Sequence, residues 1–360
     1  MKYRLSEILA TKTLAASGTE TIDLNIADPI SRLMFEYKQT RGSATSADHV
    51  AANISKIELV DGSDVIFSLT GKQMHALAYY HQSKSQDVHL TNIATIQQLL
   101  PLIYDFGVKL WDPNLAFDPK KYRNPQLKIT HNVATSDASA TVHSLRILAY
   151  CFDEKQITPM GFLSAHEIES FTSGAAGSYH YTSLPIEKII KMLLIRGYYA
   201  AYQPWQVANQ IRLSEDNDKH VPLDESTSLL MKWINSTYPR FVDGLQAGLT
   251  SSPVTFYATP HFGVNVAGHA LVATAPVIVG ANPIVEPFTL NGGATTQALF
   301  NVSGFQPHAV VAIPFGNQED PGDWYDTTKL GSLVLRILAG DAGANGSLQV
   351  FLQQLTQYGS

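Results

Sequence analysis

Apolar and polar residues alternate in many short stretches along the chain, the period-2 pattern that sets one face of a β-strand against a core. Ile22, Leu24 and Ile26 form one such face, and Val65, Phe67 and Leu69 form another. The pattern returns at Leu127 with Ile129, Leu145 with Ile147, Ile211 with Leu213, Leu333 with Leu335 and Ile337, and Leu348 with Val350 and Leu352. Asp61-Gly62 and Asn345-Gly346 tolerate positive φ, which predicts tight hairpins at both. Helical spacing is confined to residues 72–81 and 226–234, read as insertions between strands, and to the N-terminus. There Leu5, Ile8, Leu9 and Leu14 predict a short amphipathic helix that packs on a neighbouring chain or lies on lipid. The predicted fold class is all-β.

The same segments recur in the same order. Pro29-Ile30-Ser31-Arg32-Leu33 is echoed 156 residues on by Pro185-Ile186-Glu187-Lys188-Ile189, counting from 29 to 185. Ile57-Glu58-Leu59, followed by the acidic turn 61–64, is echoed 154 on by Ile211-Arg212-Leu213 and Glu215-Asp216-Asn217-Asp218. Phe117-Asp118 recurs as Tyr325-Asp326 near the end of the second half. Leu127-Lys128-Ile129 against Leu333-Val334-Leu335, and Thr141-Val142 against Ser347-Leu348, both give 206. A stable offset on each side of one jump is the signature of a duplicated domain with a single large insertion. The jump, from 154 to 206, places about 52 extra residues in the second copy between Pro239 and Phe305. The division that follows is an N-terminal arm at 1–20, a first domain at 21–160 and a second at 161–360. An outer loop or turret is expected at about 240–305. The boundary stretch 152–178 carries Pro159, Gly161 and the small-residue run Ser173-Gly174-Ala175-Ala176-Gly177.

Composition narrows the function. The 360 residues are 45% hydrophobic and 16% charged, enough apolar material for two domains of about 100 to 200 residues each. A net charge of −6 argues against wrapping nucleic acid, which needs clustered Lys and Arg. The one cysteine, Cys151, lies in an apolar run and reads as a buried small hydrophobe. Glu7 and Lys12 interrupt any secretory signal, so synthesis in a host cytoplasm is expected. No run approaches the ~18 apolar residues of a membrane span.

Candidate chemistry fails motif by motif. His166-Glu167 opens like a zinc-protease motif, but Ser170 stands where the second histidine is required. The run 173–178 has no following Lys to reach a phosphate, and the twelve histidines are scattered. Asp61, Asp64, Glu215, Asp216 and Asp218 could be offered to calcium, though their spacing matches no standard loop and solvated turns explain them more simply. Glu319, Asp320 and Asp323 beside Trp324 suggest a glycosidase carboxylate pair or, more plainly, a loop closed by a buried Trp. Sequons at Asn53, Asn235, Asn301 and Asn345 matter only in a secretory pathway. Catalytic residues: none; cofactor-binding residues: none; metal ligands: none. The chain is expected not to be an enzyme.

The stretch from Ile57 through Asp61-Gly62-Ser63-Asp64 to Leu69, with Asn124-Pro125-Gln126-Leu127-Lys128-Ile129-Thr130-His131-Asn132, resembles the first jelly roll of double jelly-roll phage capsid proteins. Tyr198-Tyr199, Tyr202-Gln203-Pro204-Trp205, Phe315-Gly316-Asn317-Gln318-Glu319-Asp320, Asp323-Trp324-Tyr325-Asp326 and Leu330-Gly331-Ser332-Leu333 resemble the second. The likeness is to major capsid proteins of tailless icosahedral, lipid-containing phages, of the kind that infects Flavobacterium, within the tectivirus and adenovirus lineage. It covers about 29–355, leaving 258–305 unmatched. The resemblance implies two upright sandwiches per chain and three chains per pseudo-hexagonal capsomer. It also implies neighbouring capsomers, penton and minor capsid proteins as partners, and possible membrane contact through the N-terminal arm. A carbohydrate-active or carbohydrate-binding β-sandwich is the alternative, and a secreted β protein fits poorly without disulfides.

Overall fold

In the computed structural model, residues 2–43, 45–249, 254–270, 277–279, 287–291 and 296–359 are described. Strands are numbered along the chain. One eight-stranded sheet runs β1 (Tyr3–Thr13), β9 (Val142–Phe152), β3 (Ile30–Thr40), β7 (Gln97–Asp105), β6 (His89–Thr91), β15 (Phe241–Leu249), β20 (Thr296–Pro307), β17 (Pro260–Ala270). A second runs β2 (Ser17–Asp23), β8 (Pro125–Asn132), β4 (Ile54–Asp61), β5 (Asp64–Leu69), β10 (Gly161–Thr172), β23 (Ser347–Gln357), β12 (Ile190–Tyr198), β21 (Val310–Pro314). A four-stranded sheet runs β11 (Tyr179–Ser183), β22 (Leu333–Ala339), β13 (Ala208–Glu215), β14 (His220–Ser226). A small sheet holds β16 (Val254–Phe256), β19 (Phe288–Asn291) and β18 (Val277–Val279). The helices are α1 (Gly71–Gln82), the single turn α2 (Pro204–Val207) and α3 (Thr227–Thr237).

The duplication is written into the strand order. The run β1-β9-β3-β7 recurs as β10-β23-β12-β21, and β2-β8-β4-β5 recurs as β11-β22-β13-β14. Each run forms one wall of a sandwich, so the chain is two jelly rolls in tandem, with the insertion β15 to β20 in the second. Even the irregularities repeat. Ile8 is the extra residue where β1 meets β9, and Ile168 where β10 meets β23. Ser31 bulges from β3 as Lys191 does from β12, and Ser55 from β4 as Asn209 does from β13. A bulge re-aims a strand, so its retention in both copies marks a backbone that needs the same bend twice.

The bulges correct the register read from sequence. Ile30 bridges Phe117 as Ile190 bridges Tyr325, so Ile30 corresponds to Ile190, four residues beyond the Ile186 of the sequence alignment. Ile57 faces Ile129 as Ile211 faces Ile337, which matches Ile129 to Ile337 and moves that alignment by two. Slips of two and four preserve the inside-outside alternation of a strand, so apolar patterning could not detect them. The match of Val142 to Leu348 fails differently. Tyr37 faces Leu145 as Gly197 faces Leu348, and the exposed Val142 has no claim on that buried place. The offset rises from 156 at the helices (Gly71 to Thr227) to 209 beyond them (Tyr104 to Ile313), which places the insertion between α3 and β21.

Three further expectations change. The N-terminal amphipathic helix is instead β1, paired from Tyr3 to Thr13 along β9. Its Leu9 to Ile147 and Leu5 to Tyr150 pairings take the apolar residues into a sheet, where cross-strand packing outweighs weak helical spacing. Asn345-Gly346 is no hairpin, because β22 and β23 belong to different sheets. Gly346 has φ −75 and is needed for close approach, since a Cβ there would meet Val207 Cγ1 at 2.5 Å. The boundary stretch 152–178 contains a 12-residue strand, β10. Asp61-Gly62 does turn the β4–β5 hairpin, with Gly62 at φ 64.

Leu335 lies at 0% exposure in the second core, beside Leu213 and Thr182 of the flanking strands. Leu335→Asp is expected to abolish folding, since an unpaired charge there has no solvation. Leu335→Ala should cost about 3 kcal/mol in urea unfolding. A soluble Leu335→Asp chain with native circular dichroism would contradict this packing.

Candidate functional site: the seam between the two sandwiches

The two halves are sewn along both large sheets. Ser68 of β5 bridges His166 of β10 in parallel, and Leu90 of β6 faces Leu245 of β15, also in parallel. Helix α1 fills the angle behind the first join. Thr70 and Gln73 form its capping box, and every residue from Gly71 to Tyr80 is buried. Its far side covers the outer face of the second sandwich, where Met192, Leu194 and Phe351 are fully buried in the same cluster as the first core. Gln73 Nε2 donates to Glu167, and Tyr80 donates to Val310 O at 2.7 Å, so the helix is bonded to the other half.

Two buried polar groups occupy this seam. In the first, His75 Nδ1 and His308 Nε2 lie 2.8 Å apart, sharing one proton between two neutral rings. His49 packs against both, at centroid distances of 4.7 Å to His308 and 6.2 Å to His75. His49 Nδ1 accepts from Ala51 N at 3.1 Å, and its Nε2 lies 3.3 Å from Thr259 Oγ1. Thr259 N in turn donates to Asp243 Oδ2, and Arg196 Nε donates to His308 O at 3.0 Å. Burial drives His75 down to about 3, and burial with the neighbouring imidazoles and Lys72 drives His49 and His308 well below the usual histidine range. In the second group, Lys191 Nζ donates to His81 Nδ1 at 2.9 Å, and Arg32 holds Asp105 with bonds of 2.5 and 2.9 Å. Burial pulls the Lys191 ammonium down to about 7, although Asp105 opposes the shift.

No signal in the sequence pointed to this site. His49, His75 and His308 are far apart along the chain, and the fold alone brings them together. Among the described residues no set of three or more His, Cys, Asp or Glu is arranged to hold a metal.

The candidates singled out by motif serve as structural ties. Cys151 is buried, its thiol pushed up to about 11. His166 sits in the join itself, held at about 4 by burial. Asp61 accepts the backbone N–H groups of Arg123 and Asn124 at 3.1 and 2.7 Å. Asp216 accepts those of Gly331 and Ser332 at 2.7 and 3.0 Å, while Asp218 bonds Ser214 and Arg212. Glu215 pairs with His220 and takes the Tyr325 hydroxyl, and Asp64 lies at the exposed hairpin end. Trp324 is buried and donates to Asn317 O at 3.0 Å, closing its loop, with Asp320 and Asp323 spent on the amides of Gly322 and Asn317. Glu319 and Asp320 border a cleft of about 390 Å³ with Asp112, which is itself committed to the amides of Val108 and Asn114. Tyr198 lies under Arg196 and beside Lys72 at the seam, while Tyr199 and Tyr202 pack on the second core and Trp205 on the first. Asn53 is fully buried, bonded to Tyr37 and Ser136. Asn235 accepts from Gln306.

The histidine group ties stability to pH. Its folded pKa values lie below the unfolded value of about 6.5, so the unfolded chain takes up protons first as pH falls. The histidine contribution to stability is therefore fully present above about 6.5 and is lost on acidification toward about 3, the value to which His75 is driven. Thermal unfolding followed from pH 7 down to 4.5 should show a falling midpoint. A flat profile would remove the histidines from this account.

No protein-family model matches the sequence, and no curated protein matches it. Solved structures do. The MCP of STIV, Sulfolobus Turreted Icosahedral Virus, superposes with a TM-score of 0.64 at 11% identity, over 99% of this chain and 98% of that one. The major capsid protein of bacteriophage PM2 gives 0.56 at 9% identity, over 99% of each chain. The PBCV-1 virus capsid protein gives 0.56 at 10%, over 98% of this chain and 93% of that one. At such identities the likeness is one of fold, and it runs from end to end. The chain has the double jelly-roll fold of viral major capsid proteins.

Proposed function

We propose that this chain is a viral major capsid protein whose work is assembly: three copies form a pseudo-hexagonal capsomer, and capsomers tile an icosahedral shell. The observation that carries the reading is the double sandwich itself, shared over nearly its whole length with capsid proteins of several viruses. Two similar β-domains per chain place six around a threefold axis, and a closed ring of three leaves no open-ended contact within the capsomer. Residues 1–20, expected from sequence as an arm, supply β1 and the start of β2 to the first domain, which runs to 160; the second spans 161–360, with the insertion at about 240–305 forming an outer turret. The resemblance to lipid-containing phages extends the proposal to a shell over an internal membrane, with penton and minor capsid proteins as further partners. The place of the protein is then the virion. Its role is structural rather than enzymatic, in keeping with carboxylates already engaged by backbone amides around the cleft.

Light scattering with negative-stain imaging of the purified chain tests this. Compact trimers of hexagonal outline are expected. A monomer that persists at high concentration would sink the reading.

A further inference from the structure

The internal duplication leaves one half of a repeated junction without its partner. Strand β5 is covered by β10, yet among the described residues its counterpart β14 ends its sheet, and the counterpart of β10, β1, ends another. The free strands are exposed where their equivalents are buried. Leu5 is 53% exposed, while Ala165, which holds its place in the second copy, is 0% exposed. The helices differ in the same way. Leu229 and Trp233 of α3, at 50% and 49% exposure, stand where α1 carries Gln73 and Leu77, both buried against the other sandwich. Exposed edge strands invite pairing, and a free edge beside unpartnered apolar helical positions has the form of an interface.

We infer that β14 and α3 of one copy dock on β1 and the outer face of the first sandwich of the next copy, repeating the join that β5 and α1 make with β10 inside the chain. The occupant is a second copy because the chain already contains the complementary surface, built by the same strand order and the same bulges. The register follows from the cross-strand partners. Ser68 lies opposite Glu58 as Asp224 lies opposite Arg212, and His166 opposite Leu352 as Ser6 lies opposite Ala149. The Ser68 to His166 bridge therefore becomes Asp224 to Ser6 of the next copy. Pro222, in the place of Ile66, lacks an amide hydrogen and confines pairing to the segment after it, as the single bridge at Ser68 does within the chain. On the receiving face, Leu5 lies beside Tyr150, and half-buried Met34 lies on the neighbouring strand, facing Leu148. Helix α3 would cover these as α1 covers Ala165, Gln353 and Phe351. The contact is head-to-tail, and three such contacts alternate with three internal joins to close one ring.

This inference rests on the trimer reading, and the test separates the two. In a Cys151→Ala background, Ser6→Cys and Asp224→Cys are combined in the full chain, which is oxidised and run without reductant while the native mass is measured in parallel. Bridged strands hold Cα atoms within the roughly 4.4–6.8 Å that a disulfide requires, so linked dimers and trimers are expected, absent from either single-cysteine chain. Trimers that stay unlinked would overturn this junction and leave the trimer standing. Monomers of the unsubstituted chain would overturn both. As a second arm, Trp233→Asp alters an exposed side chain, so the monomer should melt normally and fail to trimerise. Tyr181→Asp, on the opposite edge of the same sheet, should leave trimers intact. A Trp233→Asp chain that still trimerises would overturn the role given to α3.

Discussion

A β-sheet that stops leaves a row of amide and carbonyl groups without partners, and a sandwich built from two sheets has such rows on both flanks. In this chain the flank of the first sandwich at β5 is closed by continuing the sheet into β10 of the second. That parallel step, together with the one from β6 to β15, joins the halves, creates the corner that α1 must fill and turns the outer face of the second sandwich into interior. Burial of Gly71 through Tyr80 along α1 follows from that geometry rather than from the helix itself, whose polar residues Lys72, Gln73 and His75 would suit a solvated surface equally well.

Polar side chains inside the corner must then find partners there. Imidazole is suited to the task, because a neutral ring both donates and accepts, and His75 Nδ1 with His308 Nε2 uses this to link the two rings through one hydrogen bond. Lys191 meets the same demand through His81, and Asp105 through Arg32 and Gln82. The His75–His308 and Lys191–His81 contacts join residues from both halves, so they hold the sandwiches in one relative position in a way that apolar packing, which tolerates sliding, does not.

Much of this was legible in the residues. Alternation located β8, β9, β13, β22 and β23, and the helical spacing at 72–81 and 226–234 located both longer helices, because one buried face imposes a period wherever it occurs. The duplication was visible as well, but its register was not. A strand slipped by two residues buries the same kind of side chain, and only bulges such as Ser31 and Lys191 distinguish the alternatives. Bulges leave no apolar signature. The seam was invisible for another reason: nothing local links His49, His75 and His308, and the pairing of β5 with β10 depends on a turn of chain more than ninety residues long. At the N-terminus, four apolar residues at mixed spacing suited a helix and a strand alike, and the available edge of β9 decided between them.

The bulge shared by Ser31 and Lys191 shows what fusing two copies into one chain makes possible. As the extra residue of the first copy, Ser31 accepts the amide of Trp111 and closes a loop of its own sandwich. At the same backbone position in the second copy, Lys191 reaches across the seam to an imidazole. Separate identical subunits would have to carry one residue fit for both surroundings. A covalently tied pair is free of that compromise, so each position of the ancestral wall can specialise for the neighbour it meets, and sequence identity between the halves can fade while the backbone bend stays.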